Sequence, residues 1–568
     1  MKGCTIKFYF VVLFLSVLTS AEAGDQEISS KIFVNQMGYL PSAVKVAYVS
    51  SVVGLPFQLC TQENGKPLFR GMLKLAEAGD GASGANLWEA DFSQVQKPGE
   101  YYLDVPGIGR SYTFRIEENL YQEVAITSLR VFQSLRCDPS KYKAPTQKWG
   151  AVHIENVTDA TGTANAPIQQ VTGGWCDGSD LGRYTVNGVT AAGLLLTLYE
   201  FIPYAYEDGV LHIPESGNGV SDLLDEVRWE LEWLMRMQDE SGGIYHKLTP
   251  VEPNLETPAD QLQGIHYLFP PSTAATAGGC ALLARASRLY TPVDATFAAE
   301  CLSAAFSAWK FVEQHPNDGG FQNPAQVQTK AYTDPDDTDE RFWAALELYL
   351  TTQEPSFLRI AESIAERRIP LLSASGYWGN VMPLAAAVTI SSVTQVTQSE
   401  LFQELRQDVL SLADSIMSKI RQDGLLLSIR EGEFTWGSNS AILQNAFILL
   451  LASRISNQAD YREGALQQIH YILGRNPVSI CYVTGFGDRS PKNIYNPVLV
   501  SDAQGKVISG LLAGGANQFL NDSVLKSNFT DEYPPSMMYK DDAASFSSNE
   551  FSLSWNAVLA FVTAFLSY

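Results

Sequence analysis

Ala441-Ile442-Leu443-Gln444-Asn445-Ala446-Phe447-Ile448-Leu449-Leu450-Leu451 is apolar on nearly every side of a helical projection. A helix of that kind offers water no polar face, so it has to be enclosed by other elements. Val186-Asn187-Gly188-Val189-Thr190-Ala191-Ala192-Gly193-Leu194-Leu195-Leu196 has the same character. From Tyr121 onward the apolar period is 3.6, and helices are predicted near 119–136, 188–204, 220–238, 272–290, 294–314 and 339–352. Further helices are predicted near 355–367, 381–391, 400–421, 438–455, 459–474 and 552–566. About a dozen helices joined by turns, several of them apolar all round, predict a layered all-α toroid whose inner ring is buried. A helical solenoid is the competing arrangement, but the sequence shows no fixed repeat that would support one.

The region before Tyr121 has a different period. Lys31–Gln36, Val44–Val49, Phe57–Cys60, Leu87–Phe92, Gly99–Val105 and Ser111–Ile116 alternate apolar and polar residues, with Gly, Pro and Asn between them. That spacing predicts a small β-sandwich over 28–117, followed by the helical domain over 118–568. The sandwich contains no histidine and no tight carboxylate cluster, which suits a structural or positioning module. Ahead of it, a short basic stretch to Lys7, an apolar run from Phe8 to Thr19 and Ala21-Glu22-Ala23 read as a signal peptide over 1–23. The run is too short to span a bilayer comfortably, so the expectation is export, periplasmic or secreted, with no membrane span.

The chain has 568 residues, 45% of them apolar, and a formal charge of -23. So acidic a surface repels phosphate backbones, which argues against nucleic acid as a partner and for a neutral or cationic substrate. Apart from Cys4, the six cysteines (Cys60, Cys137, Cys176, Cys280, Cys301 and Cys481) are scattered and form no CxxC pair. They signal neither a disulfide framework nor a zinc knuckle, and Cys176 reads as packing.

Long connections fall at 137–187, 239–271, 315–337, 422–437 and 475–551 and hold most of the Gly, Pro, Trp and Tyr of the helical half. Connections of that length usually carry function. In the first of them, Gly173-Gly174-Trp175-Cys176-Asp177-Gly178-Ser179-Asp180-Leu181-Gly182-Arg183-Tyr184 sets two carboxylates among four glycines. As a bare motif it is also ordinary turn chemistry. At the far end of the chain, Asn549-Glu550 precedes the last helix, where Glu550 could equally be a capping carboxylate. Two separated carboxylate sites are what glycoside hydrolysis requires, since one acid protonates the leaving oxygen and one base activates water.

The loop Gly173–Asn187 and the Asn549-Glu550 segment resemble the two signatures of glycoside hydrolase family 9, the inverting β-glucanases with an (α/α)6 barrel. The likeness continues through Ile213–Gly219, Asp222–Leu234, Gly242–Lys247, Pro271–Thr276, Leu473–Pro477 and Tyr482–Gly487. Val34–Pro41 resembles the Ig-like module that precedes many catalytic domains of that family. The resemblance implies Asp180 as general base, Asp177 as its support in holding the attacking water, and Glu550 as general acid. Asp541 and Asp542 are candidate neighbours of that acid or acceptors that stabilise its loop. Trp175, Tyr184, Tyr245, Trp378, Trp436, Tyr482, Tyr495 and Tyr539 are candidate substrate-binding aromatics, and His246, beside Lys247, a candidate hydroxyl-binding residue.

Two features bear on substrate and cofactor. The family's Asp-Ala-Gly-Asp appears as Asp177-Gly178-Ser179-Asp180, which keeps both acids. The Pro-His-His-Arg-like sequence usual after Phe486-Gly487 is replaced by Pro491-Lys492-Asn493-Ile494-Tyr495-Asn496-Pro497. That departure leaves open a β-1,4-glucan-type polymer or oligomer, an exo-acting β-glucosidase or glucosaminidase on a neutral or amino-sugar glycan, and a non-catalytic glycan-binding protein. No cofactor is required by this chemistry. Asp339 and Glu340, in a cluster with Asp334, Asp336 and Asp337, resemble a structural calcium position of some family members and equally a solvated acidic N-cap.

Overall fold

The computed structural model describes residues 27–568 except 78, 138–145, 149–170, 179, 181, 254–264, 368, 372–379, 392–398 and 496–505. The N-terminal part is a sandwich of two sheets. One has the order β1 (Ile32–Phe33), β3 (Val46–Ser50), β7 (Leu87–Asp91), β6 (Lys74–Glu77). The other runs β2 (Gly38–Tyr39), β10 (Phe114–Ile116), β8 (Gly99–Val105), β4 (Pro56–Thr61), β5 (Pro67–Met72), with β9 (Gly109–Arg110) added to β8. Strands β5 and β6 escape the sequence pattern because they are largely exposed and do not alternate.

The helices form two concentric rings. The inner ring is α2 (Thr185–Phe201), α4 (Thr273–Tyr290), α6 (Thr338–Thr352), α8 (Met382–Ser391), α10 (Ser438–Ser456) and α14 (Leu553–Ser567). Each packs on the next, and α14 packs back on α2, so the ring closes. The outer partners are α1 (Gln122–Ser134), α3 (Asp222–Arg236), α5 (Ala295–Gln314), α7 (Pro355–Ala365), α9 (Glu400–Arg421) and α11 (Ala459–Ile472). Burial follows the sequence pattern: α10 is buried almost throughout its length, whereas α9 buries one stripe through Leu405, Val409, Ala413, Ile416 and Ile420. Two short helices, α12 (Ser523–Asn528) and α13 (Phe546–Asn549), sit in the last connection.

A third sheet, absent from the sequence reading, crosses the helical domain. Its order is β11 (Thr146–Lys148), β14 (His266–Leu268), β13 (Lys247–Thr249), β12 (Arg183–Tyr184). Its strands are only two or three residues long, too short for alternation to register.

Sandwich and barrel are continuous. Phe33, Met37, Leu40 and Tyr48 share one apolar core with the helices, while Ile32, Leu59, Leu103 and Phe114 fill the sandwich interior. Gln36 ties the two by donating to the Ser479 carbonyl at 3.0 Å and accepting from the Arg489 amide at 2.9 Å.

One charged cluster lies inside the helical layers. Arg285 on α4 is fully buried and pairs with Glu200 on α2, with its Nε 3.7 Å from Glu347 on α6. Arg288 reaches Glu347 at 2.9 Å, and Trp343 donates to the same carboxylate at 3.0 Å. Burial opposes the Glu200 charge, but Arg285 and Arg288 outweigh it and hold its pKa below the usual value. Such a depressed carboxylate stabilises the fold above the unfolded pKa of about 4.3, and that contribution is lost as the pH falls. Arg285→Met should therefore cost about 3–5 kcal/mol at neutral pH, where buried Glu200 keeps only Arg288 as a partner. The loss should shrink as the pH falls through about 4.3 and Glu200 in the variant takes up a proton. Urea unfolding above and below that pH measures this, and an equal loss at both would reduce Arg285 to a packing residue.

Candidate active site

The glycine-rich loop before α2 folds back on itself. The Asp177 amide donates to the Gly182 carbonyl at 2.8 Å, and the Gly182 amide donates to Asp180 Oδ1 at 2.8 Å. Gly178 takes φ +63°, and a Cβ on Gly182 would stand 2.5 Å from the Tyr184 ring and 2.7 Å from Asp180 Oδ1. The turn thus needs glycine at both places. The chain then enters β12, which places Tyr184 so that its hydroxyl donates to Asp180 Oδ2.

Asp177 is completely buried. Its Oδ1 accepts from the Leu553 amide at 2.8 Å, at the N-terminus of α14, and its Oδ2 accepts from Asn187 Nδ2 on α2. Burial raises the Asp177 pKa, opposed by the Leu553 amide and the Asn187 and Ser552 side chains. Asp180 retains 8% exposure toward the cleft. Burial lifts its carboxyl to about 6, with Tyr184, Gly182 and Lys247 opposing and Asp177 adding to the rise.

All five long connections meet at this point. The cleft, about 190 Å3 and open to solvent, is lined by Asp177, Gly178, Asp180 and Tyr184 from the first and Pro253 from the second. The third contributes Gln328, Thr329, Lys330 and Tyr332, the fourth Trp436, and the fifth Tyr495, Phe546 and Glu550. Glu550 leans on the first loop: its Oε1 lies 3.4 Å from where a Cβ on Gly178 would be. Tyr332, at φ +46°, stands edge-on to Tyr184 at 4.7 Å. Burial keeps its phenol neutral, and the charges of Asp177, Glu550 and Asp180 add to the effect. A neutral phenol is a hydrogen-bond donor among three carboxyl groups. Trp436, Phe546 and Tyr495 form an aromatic wall, with ring centroids 5.1 and 5.9 Å apart in sequence along it. From the facing segment, Lys330 Nζ sits 4.0 Å over the Trp436 ring.

A family model described as glycosyl hydrolase family 9 matches residues 121–563, and one described as a cellulase N-terminal ig-like domain matches residues 27–110. The chain belongs to glycosyl hydrolase family 9. It is 31% identical to a cellodextrinase of Butyrivibrio fibrisolvens, over 94% of this chain and 98% of that one. It is 30% identical to a xyloglucan-specific endo-β-1,4-glucanase of Bacteroides ovatus, over 93% and 92%. Among solved structures, a metagenome-derived family 9 endoglucanase superposes with a TM-score of 0.85 at 32% identity, covering 94% of this chain and 99% of that one. The protein is thus a glycoside hydrolase, with an Ig-like domain ahead of an (α/α)6 barrel.

Several family 9 candidates named from sequence stand elsewhere than expected. Trp175 is 1% exposed, packs on Phe132 and donates its Nε1 to Glu226 at 2.9 Å, so it is no sugar platform. Tyr482 is fully buried between Tyr471 and Tyr539. Tyr539 is buried too, and its hydroxyl donates to Asn549 Oδ1 at 2.5 Å, which holds the residue next to Glu550. His246 stacks on Phe321 and bonds Ser272 Oγ at 2.8 Å and the Ala331 carbonyl at 2.7 Å; both ring nitrogens are engaged in the fold. Tyr245 is buried and does not line the cleft. Trp378, like Asn496 and Pro497, lies outside the described residues. Asp541 accepts from the Asn493 amide at 2.9 Å and from Asn549 Nδ2 at 3.2 Å, joining two loops beside Glu550, while Asp542 accepts from the Ala544 amide.

At the start of α6, Asp339 accepts from the Val381 amide at 3.0 Å, and burial raises the pKa of Asp339 and of Glu340, and of Asp334 to about 7. The three share hydrogen bonds with one another, whereas Asp337 is spent on Arg341 and Asp336 on Thr338. At the expected calcium position Asp339 and Glu340 bond each other, and among the described residues no group of three or more His, Cys, Asp or Glu is arranged to hold a metal ion.

Cys176 is not the packing residue expected from the sequence. Cys137 and Cys176 form a disulfide across 39 residues of sequence, so Cys176 is a covalent anchor immediately before Asp177. Wide spacing hid it; the even number of cysteines in a chain read as exported was the available signal. Lys247, Lys330, Tyr332 and Phe546 were also missed, because single residues in long connections carry no periodic signal. Cys137→Ala/Cys176→Ala should lose about 2–4 kcal/mol of stability by release of loop-closure entropy. Denaturant unfolding of the double variant, compared with the parent under non-reducing conditions, measures it.

Proposed function

We propose that this chain is an exported, inverting β-glycanase acting on β-1,4-glucan-type chains, with Asp180 as base, Asp177 as its support and Glu550 as acid. The observation that carries this reading is the meeting of Asp180 and Glu550 in one cleft with different surroundings. Asp180 is poised near 6 and held by Tyr184, so above that pH it is the ionised partner able to take a proton from water. Asp177 has both oxygens committed to Leu553 and Asn187 and acts on Asp180 and the water through its fixed position and charge. Glu550, beside Gly178 in the same cleft, would protonate the leaving oxygen. Tyr332 lines that cleft and can donate to a substrate oxygen.

The Trp436–Phe546–Tyr495 wall suits the apolar faces of sugar rings. The relatives named above are called a cellodextrinase and a xyloglucan-specific endo-β-1,4-glucanase, which supports a β-1,4-glucan backbone in a polymer or oligomer. Lys330 puts a cation at the aromatic wall, which favours a neutral sugar over a glucosaminyl ammonium there. The Cys137–Cys176 disulfide supports export, since such bonds persist in oxidising compartments.

Asp180→Asn and Glu550→Gln should each reduce hydrolysis of cello-oligosaccharides and xyloglucan at least about 100-fold while leaving thermal unfolding unchanged. Near-parental rates in either variant would remove that residue from its role. In the parent, kcat/KM should fall as the pH drops through about 6, where Asp180 takes up its proton. Proton NMR of the first product should show the inverted anomer, and a retained anomer would contradict water activation by Asp180.

A further inference from the structure

Lys247 is a buried cation that the chemistry above does not use. It opens β13 directly opposite Tyr184, the residue whose hydroxyl holds Asp180. Its side chain is fully buried, and the partners its ammonium bonds are neutral oxygens. Its three donors converge on one segment of the third long connection: Asn323 Oδ1 at 2.8 Å, Thr329 Oγ1 at 3.0 Å and the Lys330 carbonyl at 2.7 Å. Phe269, Phe321 and Tyr184 surround the ammonium, with ring centroids at 4.6, 5.7 and 5.8 Å. A buried charge with no carboxylate in direct contact is an expensive way to fill a core, where a methionine would fit at lower desolvation cost.

What the charge accomplishes lies on either side of it. The segment it grips carries Gln328, Thr329, Lys330 and Tyr332 into the cleft, and Lys330 continues across to Trp436. The strand it belongs to is paired with the end of the Asp177–Tyr184 loop. We propose that Lys247 is a positioning residue for hydrolysis: its ammonium locks the 323–332 wall of the cleft to the loop bearing Asp180 and places a positive charge behind that carboxylate. The proposal rests on Asp180 being the base. The groups facing Asp180 are Tyr184, Asp177, Lys247 and, across the cleft, Tyr332 and Glu550; Lys330 lines the same cleft. Among them Lys247 is the cation that opposes the burial-driven rise of Asp180. Burial in turn pulls Lys247 down to about 7, with Asp180 opposing.

The test is steady-state hydrolysis of cello-oligosaccharides by the full chain across pH 4–9. Lys247→Met should lower kcat about 10–100-fold with little change in KM, because the reacting groups are misplaced rather than the sugar lost. It should also move the acid limb upward by roughly half a pH unit to one unit, since the base loses a neighbouring cation. Lys247→Arg should restore the limb while recovering only part of kcat. A lowered unfolding midpoint in Lys247→Met, with parental kcat and an unmoved acid limb, would overturn the proposal and leave Lys247 structural. If Lys247→Met does not fold, Asn323→Ala/Thr329→Val decides. It keeps the cation and removes two acceptors, so kcat should fall with the acid limb in place, and parental kcat would overturn the proposal. Asp180→Asn run alongside separates the two readings. Activity retained there refutes the base assignment, whereas an inactive Asp180→Asn with an unaltered Lys247→Met refutes the positioning role alone.

Discussion

The hydrogen bond from the Leu553 amide to Asp177 joins residues 376 positions apart, and most of the architecture depends on what it connects. Leu553 opens the last inner helix and Asp177 lies in the loop that feeds the first, so the bond sits where the ring of helices closes. The first turn of a helix presents unpaired amides and a partial positive charge, and a carboxylate there is the natural cap. The same contact brings Glu550, three residues before Leu553, to the side of Gly178. Ring closure and assembly of the proposed acid–base pair are therefore one event. An error in the closure would displace Glu550 from Asp180, not merely weaken the fold.

Division of labour between the two aspartates follows from the same geometry. They are three residues apart and share one desolvating environment, yet Asp177 is sealed behind Asn187 and Leu553 while Asp180 keeps an edge in the cleft. Two carboxylates that close should raise one another's pKa, and the hydrogen bonds decide which stays available. Asp177 spends both oxygens on the fold. Asp180 spends one on a tyrosine hydroxyl and one on the amide of its own turn, and both donors stabilise its ionised form without covering it.

The ring was legible in the sequence because it is periodic. The all-round apolar Ala441–Leu451 and the one-sided 400–421 segment announce inner and outer helices before any coordinates, and Asp177, Asp180 and Glu550 were marked by the motifs on either side of them. The substrate face was much less legible. Trp175 and Tyr482 have the composition of sugar platforms, but large aromatics in a big core are also its best filling, and local sequence cannot say which way a ring points. Tyr332 and Lys330 had no motif at all: their position depends on a turn whose anchor, Lys247, lies 85 and 83 residues earlier. The two- and three-residue strands of the third sheet were hidden for the same reason, since pairing over such short lengths is decided by neighbours rather than by alternation.

These two kinds of legibility correspond to two kinds of stability. The carboxylates are held by the closure of the barrel and by a disulfide one residue before Asp177, which are structures that cannot shift without loss of the fold. The aromatic wall is carried by two connections, one bearing Trp436 and the other, which leads into the last inner helix, bearing both Tyr495 and Phe546. A change in those loops alters which sugar rests against the wall at little cost to the helices beneath, because loop length and sequence are weakly coupled to the packed core. Change around Trp436 can therefore reshape the wall while the proposed acid–base geometry stays fixed, whereas Phe546 stands four residues before Glu550 and is coupled to it. The 323–332 segment is coupled in another way, since it lines the cleft and is held by Lys247 to the strand paired with the Asp177–Tyr184 loop. Variation there, as around Phe546, should be felt in the proposed chemistry as well as in the choice of sugar.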